Sequence, residues 1–574
     1  MTLTPSIPDA PGRFPDTPRF QLDEAIATLR SNAGAWAEVP LTRKIEYLAE
    51  VRRRWVEIGD DLVADAVASK GVGEELAGED WAGGVLAFVR TLRLLEETLR
   101  SIESTGAVPI DDDDIRVRPD GQVTVQVMPA DVWDRLVYLG WTAEVWLDPD
   151  VDRDAVRDHM GGIYTKPETA AQGVALVLGA GNHASIAPLD VVNELFTEGW
   201  VVLLKYNPVN DYIGPYVEYA FEELIRAGLV RCVYGGSEVG DYLAHHEGID
   251  KVHITGSART FEIIVFGEGE EGADRKARND PILDKPITGE LGNVSPTIVV
   301  PGRWSGRGLR YHAEHVATQM MQNGGFNCTA AKLLVLPSRW EQKQAFLAEL
   351  RRVLLGLSDR PAWYPGTEER FDRFVGAHDD VELLGPRARG LVPPTFIHDV
   401  STEGGDIALE EEAFCSLAAV AELDVADPSE YLDAAVELCN ERVEGTLIAT
   451  ILIDPATERE HAGALDRAVA ALRYGTVGIN VWASSGFVVG QTPWGGFPGA
   501  TLDDVQSGIG WVHNAYLIDR PQKTVIRSPF IVTPKPPWFV THRNATKTMR
   551  AASRFDGHPT VFGLVKLFAQ ALRA

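Results

Sequence analysis

The stretch GVALVLGAGNHASIAPLDVVNELFTEGWVVLLKYNPVND, residues 173–211, decides the fold. Residues 174–178 and 200–204 are short runs that are apolar almost throughout, separated by a helix-length segment. A strand apolar on both faces must be covered on both, which calls for a parallel sheet between helix layers. Two more such runs follow at 230–234 and 252–255, so the local pattern is βαβαβαβ. Ligands of such sheets bind at the carboxyl ends of the strands. Three loops follow those ends: GAGNHAS (179–185), KYNPVND (205–211) and TGSART (255–260).

Working outward, a second β/α region opens at 295–300, passes through a helix ending at Gly324 and Gly325, and runs to about 510. Upstream, residues 21 to about 105 show helical spacing with many charges, as a cover layer does. Segments 121–130 (GQVTVQVMPA) and 143–151 (AEVWLDPDV) alternate apolar and polar residues, the pattern of strands with one exposed face, and pair as a ribbon. The four aspartates at 111–114 read as a solvated loop, and residues 1 to about 20 as an extended Pro-rich lead.

The chain has 574 residues, which at roughly 150 per domain predicts two to four domains. Its 83 acids against 54 Lys and Arg give a formal charge of -29, which repels a phosphate backbone and speaks against nucleic-acid binding. Four scattered cysteines without a CxxC pair form neither a disulfide framework nor a zinc ribbon, and the thirteen histidines show no metal spacing. The lead lacks the basic start and apolar stretch of a secretory signal, and no run of about 18 apolar residues spans a membrane. The expectation is a cytoplasmic protein without integral membrane association.

In GGFNCTAAK (324–332) Cys328 follows a glycine break and precedes an apolar run. A turn there offers backbone N–H groups that lower a thiol's pKa and hold an oxyanion. In ITGELGNVSPTIVV (287–300) Glu290 stands between one β/α region and the first strand of the next. Asn182, in the GAGNHAS loop, is an amide donor at a strand end. Taken singly, each has a plainer reading: an inert core cysteine, a solvated glutamate, a helix-capping asparagine. EEEAFCS (410–416) and QTPWGGFPGA (491–500) are weak alone.

Together, in this order and at these separations, the pieces resemble the aldehyde dehydrogenase superfamily over about residues 20 to 530. The resemblance implies an α/β fold with two Rossmann-type parallel-sheet domains and a projecting oligomerisation ribbon. It assigns 20–120 with 160–289 to a dinucleotide-binding domain, 290–512 to a catalytic domain and 121–159 with 513–532 to the ribbon, which leaves 533–574 as a basic amphipathic C-terminal extension. It makes Cys328 the nucleophile, Glu290 the general base and Asn182 an oxyanion donor. It places Lys205 at the adenosine ribose, Thr255, Gly256 and Ser257 at the pyrophosphate loop, and Glu412 with Phe414 at the nicotinamide ribose. The implied reaction oxidises an aldehyde to a carboxylic acid with NAD or NADP, by a homodimer or homotetramer. A CoA-acylating relative and a non-catalytic nucleotide-binding relative are the alternatives.

The chain departs from the family's pattern at four places. Phe261 replaces a glycine that opens the helix turn after the ITGS loop. Pro208 stands where NAD-preferring members carry a ribose-binding Glu, Gly181 where an aromatic residue precedes the oxyanion Asn, and EAFCS lacks the usual Gly-Pro continuation. The connection 266–288 is longer than usual by about ten residues, as a surface insertion is.

The extension is not covered by the resemblance. Its net charge is +6 while the rest of the chain carries -35, which favours docking on the protein's own body or a neighbouring subunit. Its last stretch, VFGLVKLFAQALRA (561–574), sets Val561, Leu564, Val565, Phe568 and Leu572 on one face. A helix packed on the core, a lid over the substrate entrance and a membrane-surface anchor all fit that pattern.

Overall fold

The computed structural model describes residues 12–573, so most of the Pro-rich lead lies outside the described residues. Helices α1 (Leu41–Lys70) and α2 (Ala87–Thr105) form the cover layer. Leu48, Val51, Trp55, Leu62 and Val63 of α1 and Leu92, Leu95, Leu99 and Ile102 of α2 are buried at the three-and-four spacing that puts them on one helix face. Strand β1 (Ile115–Val117) pairs antiparallel with β2 (Val123–Met128), and β2 with β3 (Thr142–Leu147).

The first sheet contains β4 (Val174–Leu178), β5 (Val201–Lys205), β6 (Val230–Val233), β7 (Lys251–Thr255) and β8 (Ile287–Glu290). Helix α3 (Ile186–Val192) follows β4, and α4 (Ala258–Phe266) follows β7. Every residue of β4, β5 and β7 is buried, as two-sided apolar strands require. The strand order is β8-β7-β4-β5-β6, all parallel. The chain leaves β4 first toward β5 and later returns to lay β7 on its other side. The carboxyl ends of β4 and β7 therefore flank a topological switch point, where a crevice opens.

The second sheet is built on β9 (Pro296–Val299), separated from β8 by five residues, followed by α5 (Gly306–Met321) and β10 (Leu333–Pro337). The remaining strands are β11 (Val381–Leu383), β12 (Thr395–Ile397), β13 (Leu417–Leu423), β14 (Ile448–Leu452), β15 (Thr476–Ile479) and β17 (Pro521–Arg527). The short β16 (Gly508–Ile509) pairs back onto β8 in the first sheet, opposite Glu290. β3 joins β17, so β1 to β3 extend the second sheet to eleven strands.

Two readings change in three dimensions, and a third, the surface insertion after α4, gains its detail. The polar-patterned face of β2 and β3 is not open. Trp146 on it lies beneath the Arg118 guanidinium at 3.7 Å, and the amine of buried Lys523 sits 5.7 Å from its ring, anchored to the carbonyls of Val469, Ala470 and Leu472. The long connection after α4 carries a nine-residue surface helix, Gly269–Ala277, tied back by the Lys276–Glu262 pair at 2.7 Å. In the extension, α6 (Ala545–Gly557) packs on the cover layer and α7 (Val561–Ala571) on α6, but through Leu564, Leu567 and Ala571. Val561, Val565 and Leu572, expected on the packed face, are exposed. The helix has apolar residues on more than one face, and periodicity alone does not choose between them. Among the described residues no helix is long and apolar enough to cross a membrane.

Candidate active site

Helix α5 delivers the chain to the nucleophile turn through three residues in the left-handed region: Asn323 (φ 55°), Gly324 (71°) and Gly325 (79°). A Cβ on Gly325 would lie 2.6 Å from the Cys415 carbonyl group, so only glycine allows this turn and the 410–416 loop to touch. The buried Lys332 amine fastens the contact by donating to the carbonyls of Gly325 at 2.9 Å and Cys415 at 2.5 Å. Ser295 Oγ donates to the Cys328 carbonyl at 3.1 Å and ties the turn to the start of β9.

The turn brings Cys328 Sγ to 3.7 Å from Glu290 Oε1 at the end of β8, with the thiol donating. Trp494, from the QTPWGGFPGA stretch, donates its indole N–H to the same oxygen at 2.6 Å. Burial raises the Glu290 carboxyl from 4.5 to about 7, while the Trp494 hydrogen bond pulls the other way. The thiol behaves opposite to the sequence-based expectation of a lowered pKa. Burial first, and then the carboxylates of Glu290 and Glu412, push it well above the ordinary thiol value. The resting nucleophile is thus a neutral S–H facing a carboxylate placed to take its proton.

Asn182 is buried at the carboxyl end of β4, and its amide donates to the Phe326 carbonyl at 3.1 Å. Asn323 holds the two loops together. Its Nδ2 donates to the backbone carbonyls of Asn182 at 3.1 Å and Phe326 at 3.2 Å, and its Oδ1 accepts from Lys70 Nζ at 2.8 Å. The Asn323 N–H donates to Glu79 at 2.6 Å, a carboxylate gripped by Arg360 on both oxygens. His183 and Asn327 join across the same seam at 2.5 Å.

The residues expected at the dinucleotide gather along neighbouring strand ends. Lys205 closes β5 and Thr255 closes β7, on either side of β4. Ser257 caps α4 by accepting the Thr260 N–H at 3.2 Å, with Gly256 between cap and strand. Glu412 stands against the Asn293 N–H, in space that Gly292 leaves free: a Cβ there would meet its Oε2 at 2.2 Å. Burial raises the Glu412 carboxyl to about 7, and its Oε1 is buried without a partner. Phe414, at φ 42°, lies 6.0 Å from Phe326 of the nucleophile turn. Phe261 turns its ring into the core beside Gly289. A Cβ on Gly181 would come within 2.9 Å of the Asn207 side chain, which leaves no room for an aromatic ring there.

Residue patterns missed a second buried group behind Glu290. Asp190 of α3 accepts from Thr255 Oγ1 at 2.9 Å and bonds His513 Nε2 at 3.1 Å. Burial raises the Asp190 carboxyl well above its usual value and lowers His513 to about 4, so a neutral acid and a neutral imidazole share a hydrogen bond. Glu290 Oε2 and His513 Nδ1 are both buried without a partner. An aspartate inside the apolar run of α3 was the only sign in the sequence. Cys415 and Cys439 are fully buried, and Cys232 packs partly buried against the core.

Known proteins resemble this chain to different depths. An aminoacetaldehyde dehydrogenase of Pseudomonas aeruginosa is 25% identical over 315 residues, 52% of this chain. The chain spans only about half of that relative's length, 56%. Among solved structures, an NADP-dependent glyceraldehyde-3-phosphate dehydrogenase of Bacillus halodurans complexed with NADP superposes with a TM-score of 0.59 at 18% identity, covering 90% of this chain and 94% of that one. A betaine aldehyde dehydrogenase of Staphylococcus aureus in complex with NAD+ gives 0.59 at 16% identity, covering 90% of each chain. These two show the same fold. The family model described as "Aldehyde dehydrogenase family" matches residues 168–518, from just before β4 to the approach to β17 and well over half of the sequence, so the chain belongs to the aldehyde dehydrogenase family.

Proposed function

We propose that the protein oxidises an aldehyde to the carboxylic acid with NAD or NADP, with Cys328 as nucleophile, Glu290 as general base and Asn182 as oxyanion donor. The observation that carries this reading is the Cys328 thiol facing the Glu290 carboxylate at 3.7 Å where the two sheets meet. The groups around the crevice fit a dinucleotide. Glu412 keeps a buried, unpartnered carboxylate oxygen that a ribose hydroxyl would satisfy, and the Ser257 cap opens the N-terminus of a nine-residue helix suited to a pyrophosphate. Lys205, Thr255, Gly256, Ser257, Glu412 and Phe414 would hold it. The nicotinamide supplies the hydride acceptor when bound.

The chain's own groups supply the rest. Glu290 takes the thiol proton, and the sulfur adds to the aldehyde carbonyl. The Asn182 amide, once turned from the Phe326 carbonyl, and the Cys328 N–H hold the oxyanion. After oxidation leaves a thioester on Cys328, Glu290 activates the water that hydrolyses it. Pro208 can neither bind the adenosine 2′-hydroxyl nor repel a 2′-phosphate, so NADP is acceptable alongside NAD. Assembly as a homodimer or homotetramer through β2, β3 and β17 belongs to the same proposal, and sedimentation of the purified protein tests it.

An aldehyde panel assayed with NAD and NADP, with and without CoA, tests the reaction. Acid is expected without CoA, and none from Cys328→Ala. Acid formation that survives Cys328→Ala sinks the mechanism, and turnover that requires CoA replaces hydrolysis by acyl transfer.

A further inference from the structure

Residues 533–574 lie beyond the matched family region, yet one of their aromatic side chains packs on the same hydrophobic cluster as Cys328. After β17 the chain runs back along α5, the helix that ends at the Cys328 turn. Lys535 Nζ and Thr541 Oγ1 both bond Glu314 at 2.6 Å, and the Val540 N–H donates to Thr318 Oγ1 at 3.1 Å. Phe539 is buried, 5.1 Å from Tyr311 and stacked on His315 at 5.6 Å. Farther on, α6 is locked to α2 where Asp556 accepts from Arg90 and Arg93 at 2.9 and 3.0 Å. The strap between these anchors is held at both ends and carries one partly buried aromatic side chain, Trp538.

Trp538 packs, together with Phe487 and Cys328 itself, on the cluster formed by Leu447, Ile448, Trp482, Trp494 and Val512. Its ring lies 6.4 Å from Trp482, whose indole N–H donates to the Thr329 carbonyl, one residue past the nucleophile. Trp538 also borders a cleft lined by Glu75, Glu79, Gln322 and His542. It thus stands between that cleft and the aromatic group around the sulfur. Carboxyl groups flank this route: Glu290 lies 3.7 Å from the sulfur, and Glu75 and Glu79 line the cleft. Such surroundings bury apolar tails favourably and repel a carboxylate.

We propose that Trp538 is a specificity-determining wall of the acyl pocket, supplied by the C-terminal extension, and that it selects aldehydes with an apolar, ring-sized tail over carboxylate-bearing semialdehydes. The proposal rests on Cys328 as nucleophile.

The test is steady-state kinetics of the full-length chain and its Trp538→Ala and Trp538→Phe variants on phenylacetaldehyde, acetaldehyde and succinate semialdehyde. Wild type is expected to prefer phenylacetaldehyde. Trp538→Ala is expected to cut that preference over acetaldehyde about tenfold, mainly through KM, and Trp538→Phe to restore most of it. Thermal melting accompanies each variant, and if Trp538→Ala does not fold, Trp538→Leu carries the same comparison. Equal losses on all three aldehydes, no change in their ratio, or a wild type that favours the semialdehyde overturns the proposal. A wild type that binds dinucleotide but oxidises none of the three overturns the reading of Cys328 and this proposal with it. A wild type that oxidises them with a ratio indifferent to residue 538 overturns this proposal alone.

Discussion

Glu290 is held in a dry setting and must nevertheless ionise to work. With a folded value of about 7 against an ordinary 4.5, its contribution to stability is fully kept below about pH 4.5 and lost as pH rises through 7. Glu290→Gln removes that penalty, so at pH 8 the variant is expected to be more stable than wild type by about 3 kcal/mol and at pH 4 to have no such advantage, as urea melts at the two pH values would read. The same variant loses acid formation by a factor on the order of 10² to 10⁴, the usual contribution of a general base. For wild type, kcat/KM should climb with pH up to about 7 and then flatten, because only the ionised carboxyl accepts the thiol proton. Trp494→Phe deletes the 2.6 Å hydrogen bond that favours the charged form, so the inflection of that profile moves to higher pH. A profile that stays where it was would deny Trp494 this role.

At the scale of elements, the turn after α5 works because three consecutive residues accept left-handed backbone. Gly325→Ala puts a methyl against the Cys415 backbone at φ 79°, where about 1–3 kcal/mol of strain is the general cost of such conformations. Lower melting temperature together with reduced kcat is the expected result, and an unchanged kcat would show that contact with the 410–416 loop is dispensable for the nucleophile. The glycine pair was readable beforehand as a break. That Asn323 before it ties Asn182, Lys70 and Glu79 together was not, since a lone asparagine carries no pattern and its partners come from α1, the short helix Ala77–Asp80 after it and the loop at the end of β4. Helix α7 shows the same limit. Its periodicity was plain, but which apolar stripe met protein depended on how α6 lay beneath it.

Across the whole molecule, the extension is joined to the cover layer by charge inside the protein. Asp556 is 3% exposed and shares Arg90 with Asp134, which bonds it at 2.6 Å. Asp556→Ala takes from buried Arg90 and Arg93 the carboxylate they share and leaves Arg90 with Asp134 alone, so it is expected to cost about 3 kcal/mol in denaturant unfolding. A loss below about 1 kcal/mol, the range of surface ion pairs, would mean that water reaches the cluster. The parallel strands β4 to β7 and the loops that follow them could be read from the chain alone, because burial on both faces and strand-end glycines leave local marks in composition, whereas Cys328, Glu290 and Asn182 were singled out only by the joint resemblance of their motifs to a family. Tertiary structure alone decided that the thiol rests protonated, that Trp494 and the Asp190–His513 pair surround Glu290, and that Trp538 of the extension packs on the cluster that Cys328 also touches. Those outcomes depend on desolvation and on hydrogen bonds between segments up to several hundred residues apart, and neither quantity is written in any local stretch of sequence.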